Sequence, residues 1–132
     1  MPPLRKLLDP RGTKIAYLIL AFVANVAWAL FFFSIVDTLM RQYGNLISGV
    51  DITLMLGIFF GTFFIGFIVA MIARDGRGLT YGIYGGLAGL IVVLLATWNS
   101  GLLAALVGAT AVLGGYNGGS LGEVSRRRRT RP

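Results

Sequence analysis

The sequence predicts an all-α integral membrane protein, a bundle of four transmembrane helices joined by short loops. Three observations indicate this class: 56% of the 132 residues are hydrophobic, only 13% are charged, and the charged residues lie between long apolar runs. A transmembrane helix needs about 20 predominantly apolar residues. We therefore expect residues 1–132 to form a single membrane domain, because the chain is too apolar for a soluble one.

The first span is predicted over residues 15–36, which contain no charged side chain. Residues 1–14 form a basic segment that we expect at the membrane surface. A basic segment before an apolar run also fits a secretory signal peptide, with Ala27-Trp28-Ala29 as a cleavage site. We favour the uncleaved helix, because the apolar run is longer than the about 7 to 15 residues of a signal core.

The second span is predicted over residues 52–73, after a loop formed by residues 37–51. Asp51 is expected to cap the helix, because a carboxylate at this position accepts hydrogen bonds from the free amide groups of the first turn. Phenylalanine is frequent in this span, and we interpret the rings as packing or lipid-contacting groups. They are Phe59, Phe60, Phe63, Phe64 and Phe67.

The third span is predicted over residues 79–98, after a charged, glycine-containing turn with the sequence Arg-Asp-Gly-Arg-Gly. Glycines within the span are spaced i, i+3, i+4 and i+7, so they line one side of a helix. In lipid, small residues are useful at helix interfaces because they let two backbones approach closely. The predicted packing residues are Gly82, Gly85, Gly86 and Gly89.

The fourth span is predicted over residues 102–118 and is rich in small residues. Their spacing of four, three, four and three also places them on one helix face, which we expect to pack on the glycines of the third span. The residues of this face are Ala104, Gly108, Ala111, Gly115 and Gly118. Residues 119–132 are predicted to be a basic, flexible tail, because they cannot form a core.

The distribution of basic residues predicts the topology. Eleven of the twelve lie before the first span, in the turn at residues 74–78 or after the fourth span, and only Arg41 lies in the other loops. Because cytoplasmic flanks carry the lysine and arginine excess, both termini are expected in the cytoplasm. The net charge of +7 is therefore read as a topology signal. The asymmetry also argues against a dual-topology dimer.

An arginine cluster near the C-terminus is the strongest electrostatic feature. A cluster of this kind beside a membrane binds anionic lipid headgroups or anchors the last helix, and the two roles are compatible. Nucleic acid is not expected, because no aromatic residues are interleaved with the basic ones to stack on bases. The predicted lipid contacts are Arg126, Arg127, Arg128, Arg129 and Arg131.

The residue types give little support to catalysis. The chain has no cysteine and no histidine, so thiolate nucleophiles, imidazole acid-base chemistry and Cys/His metal sites are excluded. We expect no enzymatic activity, metal or cofactor. Asp37 and Asp51 are candidates for a carboxylate pair, although we favour roles at helix ends. Asn25 is the mid-span polar side chain to watch, and we expect it to form an interhelical hydrogen bond.

Residues 57–119 run in the order glycine-marked span, Arg-Asp-Gly-Arg-Gly turn, Gly-Ile-Tyr-Gly-Gly-Leu-Ala-Gly span and small-residue span. This order resembles uncharacterised four-span membrane proteins of bacteria and archaea. The resemblance implies a location in a prokaryotic cytoplasmic membrane. Those families have no assigned activity, so it implies no site residue.

These features predict a small structural or accessory protein that packs on a larger membrane complex, or self-associates, through its glycine and alanine faces. The alternative is a small oligomeric channel or transporter, with Asn25 and the phenylalanine-rich span near the pathway. No span has a charged residue near its centre, and ion or proton pathways commonly need one. We therefore favour the accessory role.

Overall fold

The computed structural model describes residues 5, 9, 11–43, 50–96, 98 and 101–130. Nearly all of this part of the chain is helical, as the sequence predicts. The helices are α1 (Ile15–Tyr43), α2 (Val50–Ala73), α3 (Gly78–Ala96) and α4 (Leu102–Thr130). Three of them are long and apolar enough to cross a membrane, namely α1, the Ile52–Ala73 part of α2, and α3. The glycines and arginines of α4 lower its average hydropathy, and it is not among the three.

Helix α3 lies at the centre of the bundle and contacts the other three helices. Helix α4 packs most extensively on α2 and α3, whereas α1 is the most peripheral span. Two hydrophobic clusters fill the space between the helices. One contains Ala29, Leu54, Ile58, Val93, Val107 and Ala111, and the other contains Ala21, Val69, Ala73 and Tyr81.

Helix α1 is longer than the predicted first span. Residues 37–43 were expected in a loop, but they continue the helix to Tyr43. Two contacts one turn apart support the extra residues: Arg41 pairs with Asp37 at 2.8 Å, and the Thr38 hydroxyl donates to the Ser34 carbonyl at 2.8 Å. Oppositely charged side chains at i and i+4 stabilise a helix modestly. The remainder of the predicted loop, residues 44–49, lies outside the described residues.

Helix α2 begins at Val50, so Asp51 lies inside the first turn and not at the capping position predicted from the sequence. The helix ends at Ala73, and Arg74 adopts a left-handed backbone conformation with φ of 54°. Gly76 follows with φ of 76°. These two residues reverse the chain into α3 within a few residues, as the charged, glycine-containing sequence predicts.

Helix α3 ends at Ala96, two residues before the predicted end of the third span. Trp98 is 79% exposed. Gly101 has φ of 53° and immediately precedes α4.

Helix α4 is much longer than the predicted fourth span. Residues 119–130 were expected to form a flexible tail, but they continue the helix to Thr130. Gly119 and Gly122 pack on the neighbouring helices, and Glu123 pairs with Arg127 one turn later. Composition alone suggested a tail, because it does not reveal that these glycines have packing partners.

The outer surface is apolar along the spans. On α2, large side chains recur every fourth residue and each is about half exposed or more. We call this row the outer ridge of α2, and it consists of Ile52, Leu56, Phe60, Phe64, Ile68 and Ile72.

Candidate functional site

The interface between α3 and α4 is built largely without side chains. A Cβ atom added to Gly86 would lie 2.8 Å from the carbonyl oxygen of Ala111, and one added to Gly78 would lie 2.8 Å from that of Gly119. Only glycine allows two backbones this approach, which also brings Cα–H groups onto carbonyl oxygens. We call this contact the glycine seam, and it consists of Gly78, Gly82, Gly86, Ala111, Gly115 and Gly119.

A second glycine face on α4 lies beside the glycine seam and meets α2. A Cβ atom added to Gly122 would lie 2.6 Å from the Phe67 carbonyl oxygen. This face was not predicted, and Gly118 was wrongly expected to pack on the third span, although the four-residue spacing of these glycines is visible in the sequence. It pairs Gly114, Gly118 and Gly122 with the carbonyls of Phe59, Phe63 and Phe67 respectively.

The glycines predicted to form one face of α3 are divided between several neighbours. Gly82 and Gly86 lie in the glycine seam, whereas Gly85 faces α1, where an added Cβ atom would lie 3.4 Å from the Ala21 carbonyl oxygen. Gly89 lies near Ala111, where an added Cβ atom would be 3.3 Å from the alanine side chain. The division follows from the central position of α3, which has neighbours on three sides.

The small residues predicted on α4 are buried inside the fold. Ala111 and Gly115 belong to the glycine seam, and Ala104 is 6% exposed. At Gly108 an added Cβ atom would meet only the end of the Leu90 side chain. The tight backbone contact is therefore centred nearer the C-terminus of α4 than the predicted face.

The interface between α1 and α2 places aromatic rings over glycines. The Trp28 indole fills the space that a Cβ atom on Gly61 would need, and the Phe32 ring does the same at Gly57. The two rings stack with their centroids 5.8 Å apart, and Trp28 Nε1 donates to the Gly57 carbonyl oxygen at 3.1 Å. No sequence pattern pairs these residues, because the pairing depends on the register of α1 against α2.

Asn25 is 1% exposed and lies between α1 and α3. The prediction of an interhelical hydrogen bond was wrong, because the side-chain Nδ2 donates to the Ala21 carbonyl of its own helix at 2.7 Å. Gly85 lies opposite the amide and offers it no side-chain partner. The Oδ1 atom is buried and has no hydrogen-bond partner among the described residues.

A polar network at one end of the bundle ties the N-terminal segment to the helices. The buried Tyr81 hydroxyl accepts from the Lys14 amide at 2.6 Å and donates to the Asp75 carboxylate. The Lys14 ammonium donates to the carbonyl of Ala73, the last residue of α2, at 3.0 Å. The phenol therefore connects the start of α1 to the α2–α3 turn.

Arg77 extends this network. Its amide donates to Asp75 Oδ1 at 3.0 Å, and its Nη1 donates to the Asp9 carbonyl oxygen at 3.2 Å. The Asp9 carboxylate accepts from the Arg11 amide at 2.9 Å. The guanidinium of Arg77 also lies over Gly12, where an added Cβ atom would be 3.1 Å from Nη2.

The predicted lipid-contacting arginines lie at the same end. A Cβ atom on Gly76 would be 3.9 Å from Arg126 Nη2, so Arg126 lies beside the α2–α3 turn. Arg127 pairs with Glu123, whereas Arg128 and Arg129 are exposed. Arg131 lies outside the described residues. We call this end of the bundle the basic end; it holds the N-terminal segment, the α2–α3 turn and the last turns of α4.

Among the described residues, no group of three or more His, Cys, Asp or Glu side chains could hold a metal ion. Asp37, one member of the predicted carboxylate pair, is bonded to Arg41. Nothing is described of the Asp51 side chain. Comparison with known proteins found no matching family, no matching curated protein and no matching solved structure.

Proposed function

We propose that this chain is a small integral membrane protein with a structural or accessory role, which packs on a larger membrane complex or on a second copy of itself. The observation that carries the proposal is the packing of α4, whose backbone is covered by α3 along the glycine seam and by α2 along its second glycine face. In the described part of the bundle, contacts between helices fill the interior. The surface available for binding a partner protein is therefore the outside of the bundle.

A fourth span formed by α4 belongs to this proposal. The glycines that lower its hydropathy are buried between α2 and α3, where they do not meet lipid. Most of its large outward side chains are apolar, and residues 102–122 would extend about 30 Å, which matches the hydrocarbon thickness. These side chains include Leu102, Leu106, Leu113, Tyr116, Leu121 and Val124.

We further propose that the basic end faces the cytoplasm of a prokaryotic cell. It holds nearly all of the described basic residues, and cytoplasmic flanks carry the lysine and arginine excess. The chain has no cysteine, so single cysteines report topology without background. Ser125→Cys at the basic end should be protected from a membrane-impermeant thiol reagent in intact cells, and Tyr43→Cys at the opposite end should be labelled. Reversed labelling would contradict this orientation.

The outer ridge of α2 is the surface that we propose for association with another membrane protein. The glycine and alanine faces are occupied inside the chain, whereas side chains such as Phe60 and Phe64 are 51% and 57% exposed. Large rings at a regular four-residue spacing form a ridge that packs between the side chains of a facing helix.

The experiment replaces Phe60 or Phe64 with a photo-crosslinking amino acid and irradiates intact cells. A discrete adduct, either with one larger membrane protein or with a second copy of the chain, would support the accessory role. Leu95, which is 71% exposed on α3, is the matched control outside the ridge. Identical lipid-only labelling at all three positions would contradict the proposal.

The exposed arginines of the basic end are proposed to contact anionic lipid headgroups. Arg128 and Arg129 are exposed on the last turns of α4, where each basic residue near an anionic surface contributes about 1 kcal/mol of attraction.

The alternative function, a small oligomeric channel or transporter, has one observation in its favour. The buried Oδ1 atom of Asn25 has no hydrogen-bond partner among the described residues, and an unpaired amide oxygen is a group that a permeating ion or solute would use. Ion or solute flux from liposomes that contain this chain alone, abolished by Asn25→Leu, would replace the accessory role with this one.

A further inference from the structure

We propose that the starts of α1 and α3 form a binding site for the phosphate group of an anionic phospholipid. Its two cationic groups are the Lys14 ammonium and the Arg77 guanidinium. The site is separate from the exposed arginines of α4, and it rests on the proposed membrane insertion because the lipid must reach this end of the bundle from the bilayer.

Neutral acceptors hold both cations in place. The Lys14 ammonium donates to the Ala73 carbonyl oxygen at 3.0 Å, and Arg77 Nη1 donates to the Asp9 carbonyl oxygen at 3.2 Å. These bonds fix the positions of the two groups without neutralising their charges. Because an ammonium carries three N–H donors and a guanidinium five, each group has donors beyond the bond that positions it.

The neighbouring carboxylates form their bonds mainly with neutral donors. Asp75 accepts from the Tyr81 hydroxyl and from the Arg77 amide, and Asp9 accepts from the Arg11 amide. Their negative charges weaken the attraction for a phosphate, as does that of Glu123, which lies beside Gly76, but the basic residues of the N-terminal segment and the α2–α3 turn outnumber these acids. These bases are Arg11, Lys14, Arg74 and Arg77.

Helix geometry adds to the attraction for a phosphate. Lys14 and Arg77 each immediately precede the first residue of an apolar helix. The amide groups of a helix N-terminus carry a partial positive charge, and α1 and α3 direct two such ends toward the basic end. The C-termini of α2 and α4 carry the opposite charge there, and the Lys14 ammonium meets that of α2. Two fixed cations and two helix N-termini thus lie at the same boundary between polar and apolar surface.

The surroundings favour a lipid phosphate over a free one. Lys14 Nζ lies 5.6 Å from the centre of the Tyr17 ring, one turn inside the helix, and tyrosine is typical of the headgroup level. Next along α1, Ile15 and Ile19 are 71% and 57% exposed and offer an apolar surface to an acyl chain. A phospholipid carries both the phosphate and the chain that this arrangement fits.

The test uses the full-length protein in vesicles of phosphatidylcholine that contain phosphatidylglycerol as a minor component. After extraction into mild detergent, native mass spectrometry measures the phosphatidylglycerol retained per protein. We expect the wild type to retain it in preference to phosphatidylcholine. The Lys14→Gln/Arg77→Gln variant should bind it about thirtyfold more weakly, the change expected for two cations near a membrane surface.

The control variant, Arg128→Gln/Arg129→Gln, removes the same charge from exposed side chains that meet headgroups only at the bilayer surface, so it should weaken attraction to the vesicle but keep the lipid that survives extraction into detergent. Equal losses in both variants would overturn the site in favour of general electrostatic attraction. Displacement of the lipid by millimolar inorganic phosphate would overturn the lipid as ligand. If the double variant does not fold, the wild type still tests the site. Failure of the wild type to retain phosphatidylglycerol in preference to phosphatidylcholine is sufficient to overturn it.

Failure of the lipid site can be distinguished from failure of the proposed membrane function. Alkaline carbonate releases peripheral proteins from vesicles, so release of the wild type would overturn both proposals. A protein that stays inserted and retains no phosphatidylglycerol would overturn the lipid site alone.

Discussion

A Cβ atom added to Gly82 would overlap the carbonyl oxygen of Gly115, and a Cβ atom added to Gly115 would overlap the carbonyl oxygen of Gly82. The two helices therefore exclude each other's side chains at this point. Neither obstacle is a flexible side chain that could turn away, since both are main-chain atoms within helices. Adding one methyl group requires α3 and α4 to move apart.

The first prediction is that Gly82→Ala lowers the free energy of unfolding by about 1 to 3 kcal/mol, the range for adding a methyl group to a contact that is already close-packed. Gly108→Ala is the matched control, because its Cβ atom would meet only the end of the Leu90 side chain, which can rotate. Circular dichroism during thermal unfolding in mild detergent measures both. Equal unfolding temperatures for the two variants would show that the glycine seam tolerates a methyl group.

A second prediction concerns the glycine face toward α2. Gly118→Ala should destabilise the protein about as strongly as Gly82→Ala, because its Cβ atom would overlap the Phe63 carbonyl. If Gly82→Ala destabilises the protein and Gly118→Ala does not, its stability depends on the contact of α4 with α3 and not on the contact of α4 with α2. The same thermal unfolding experiment distinguishes these outcomes.

The long apolar runs were sufficient to predict the helices, but not how the glycines of each helix divide between its neighbours. Long apolar runs separated by charges predict helices in lipid whatever their neighbours are, and the structure has four long helices in its described part. A glycine stripe indicates that another backbone approaches closely, without indicating which glycine of the stripe faces which neighbour. Gly85 and Gly86 are adjacent in sequence, yet one faces α1 and the other α4.

The polar network at the basic end was harder to predict from the sequence than the glycine contacts. No sequence pattern links Tyr81 to Lys14, which lies 67 residues earlier in the chain. The ends of helices were also difficult to predict. Hydropathy separates apolar from polar residues, and α1 and α4 both continue through polar residues that form pairs one turn apart.

The third prediction tests the network at the basic end. Tyr81→Phe removes the hydroxyl that joins the Lys14 amide to Asp75 and should cost about 1 to 3 kcal/mol, because two part-buried hydrogen bonds are lost and one of them is to a charged carboxylate. Amide hydrogen exchange of the N-terminal segment should become faster. Tyr116→Phe, at a 37% exposed position on α4, is the control. Exchange rates equal to the wild type in both variants would contradict a role for the hydroxyl.

A fourth prediction concerns Asn25. Its Oδ1 atom is buried without a partner among the described residues, so replacement by leucine, which has a similar shape, should leave stability unchanged or raise it by about 1 kcal/mol. Asn25→Ala should be less stable than Asn25→Leu, because it leaves a space between α1 and α3. Thermal unfolding of both variants checks this order, and a marked loss of stability in Asn25→Leu would show that the oxygen has a partner.

The last prediction isolates the backbone of the α2–α3 turn. Arg74 is exposed and has φ of 54°, a conformation that costs an L-amino acid about 1 to 2 kcal/mol and costs glycine almost nothing. Arg74→Gly and Arg74→Ala remove the same charge and side chain, but only glycine relieves the left-handed conformation. Glycine also has more conformational freedom to lose on folding, which offsets part of the gain. Arg74→Gly should therefore unfold at a higher temperature than Arg74→Ala, with a difference in unfolding free energy of about 1 kcal/mol. Equal stability of the two variants would mean that Arg74 does not hold this backbone conformation in the folded protein.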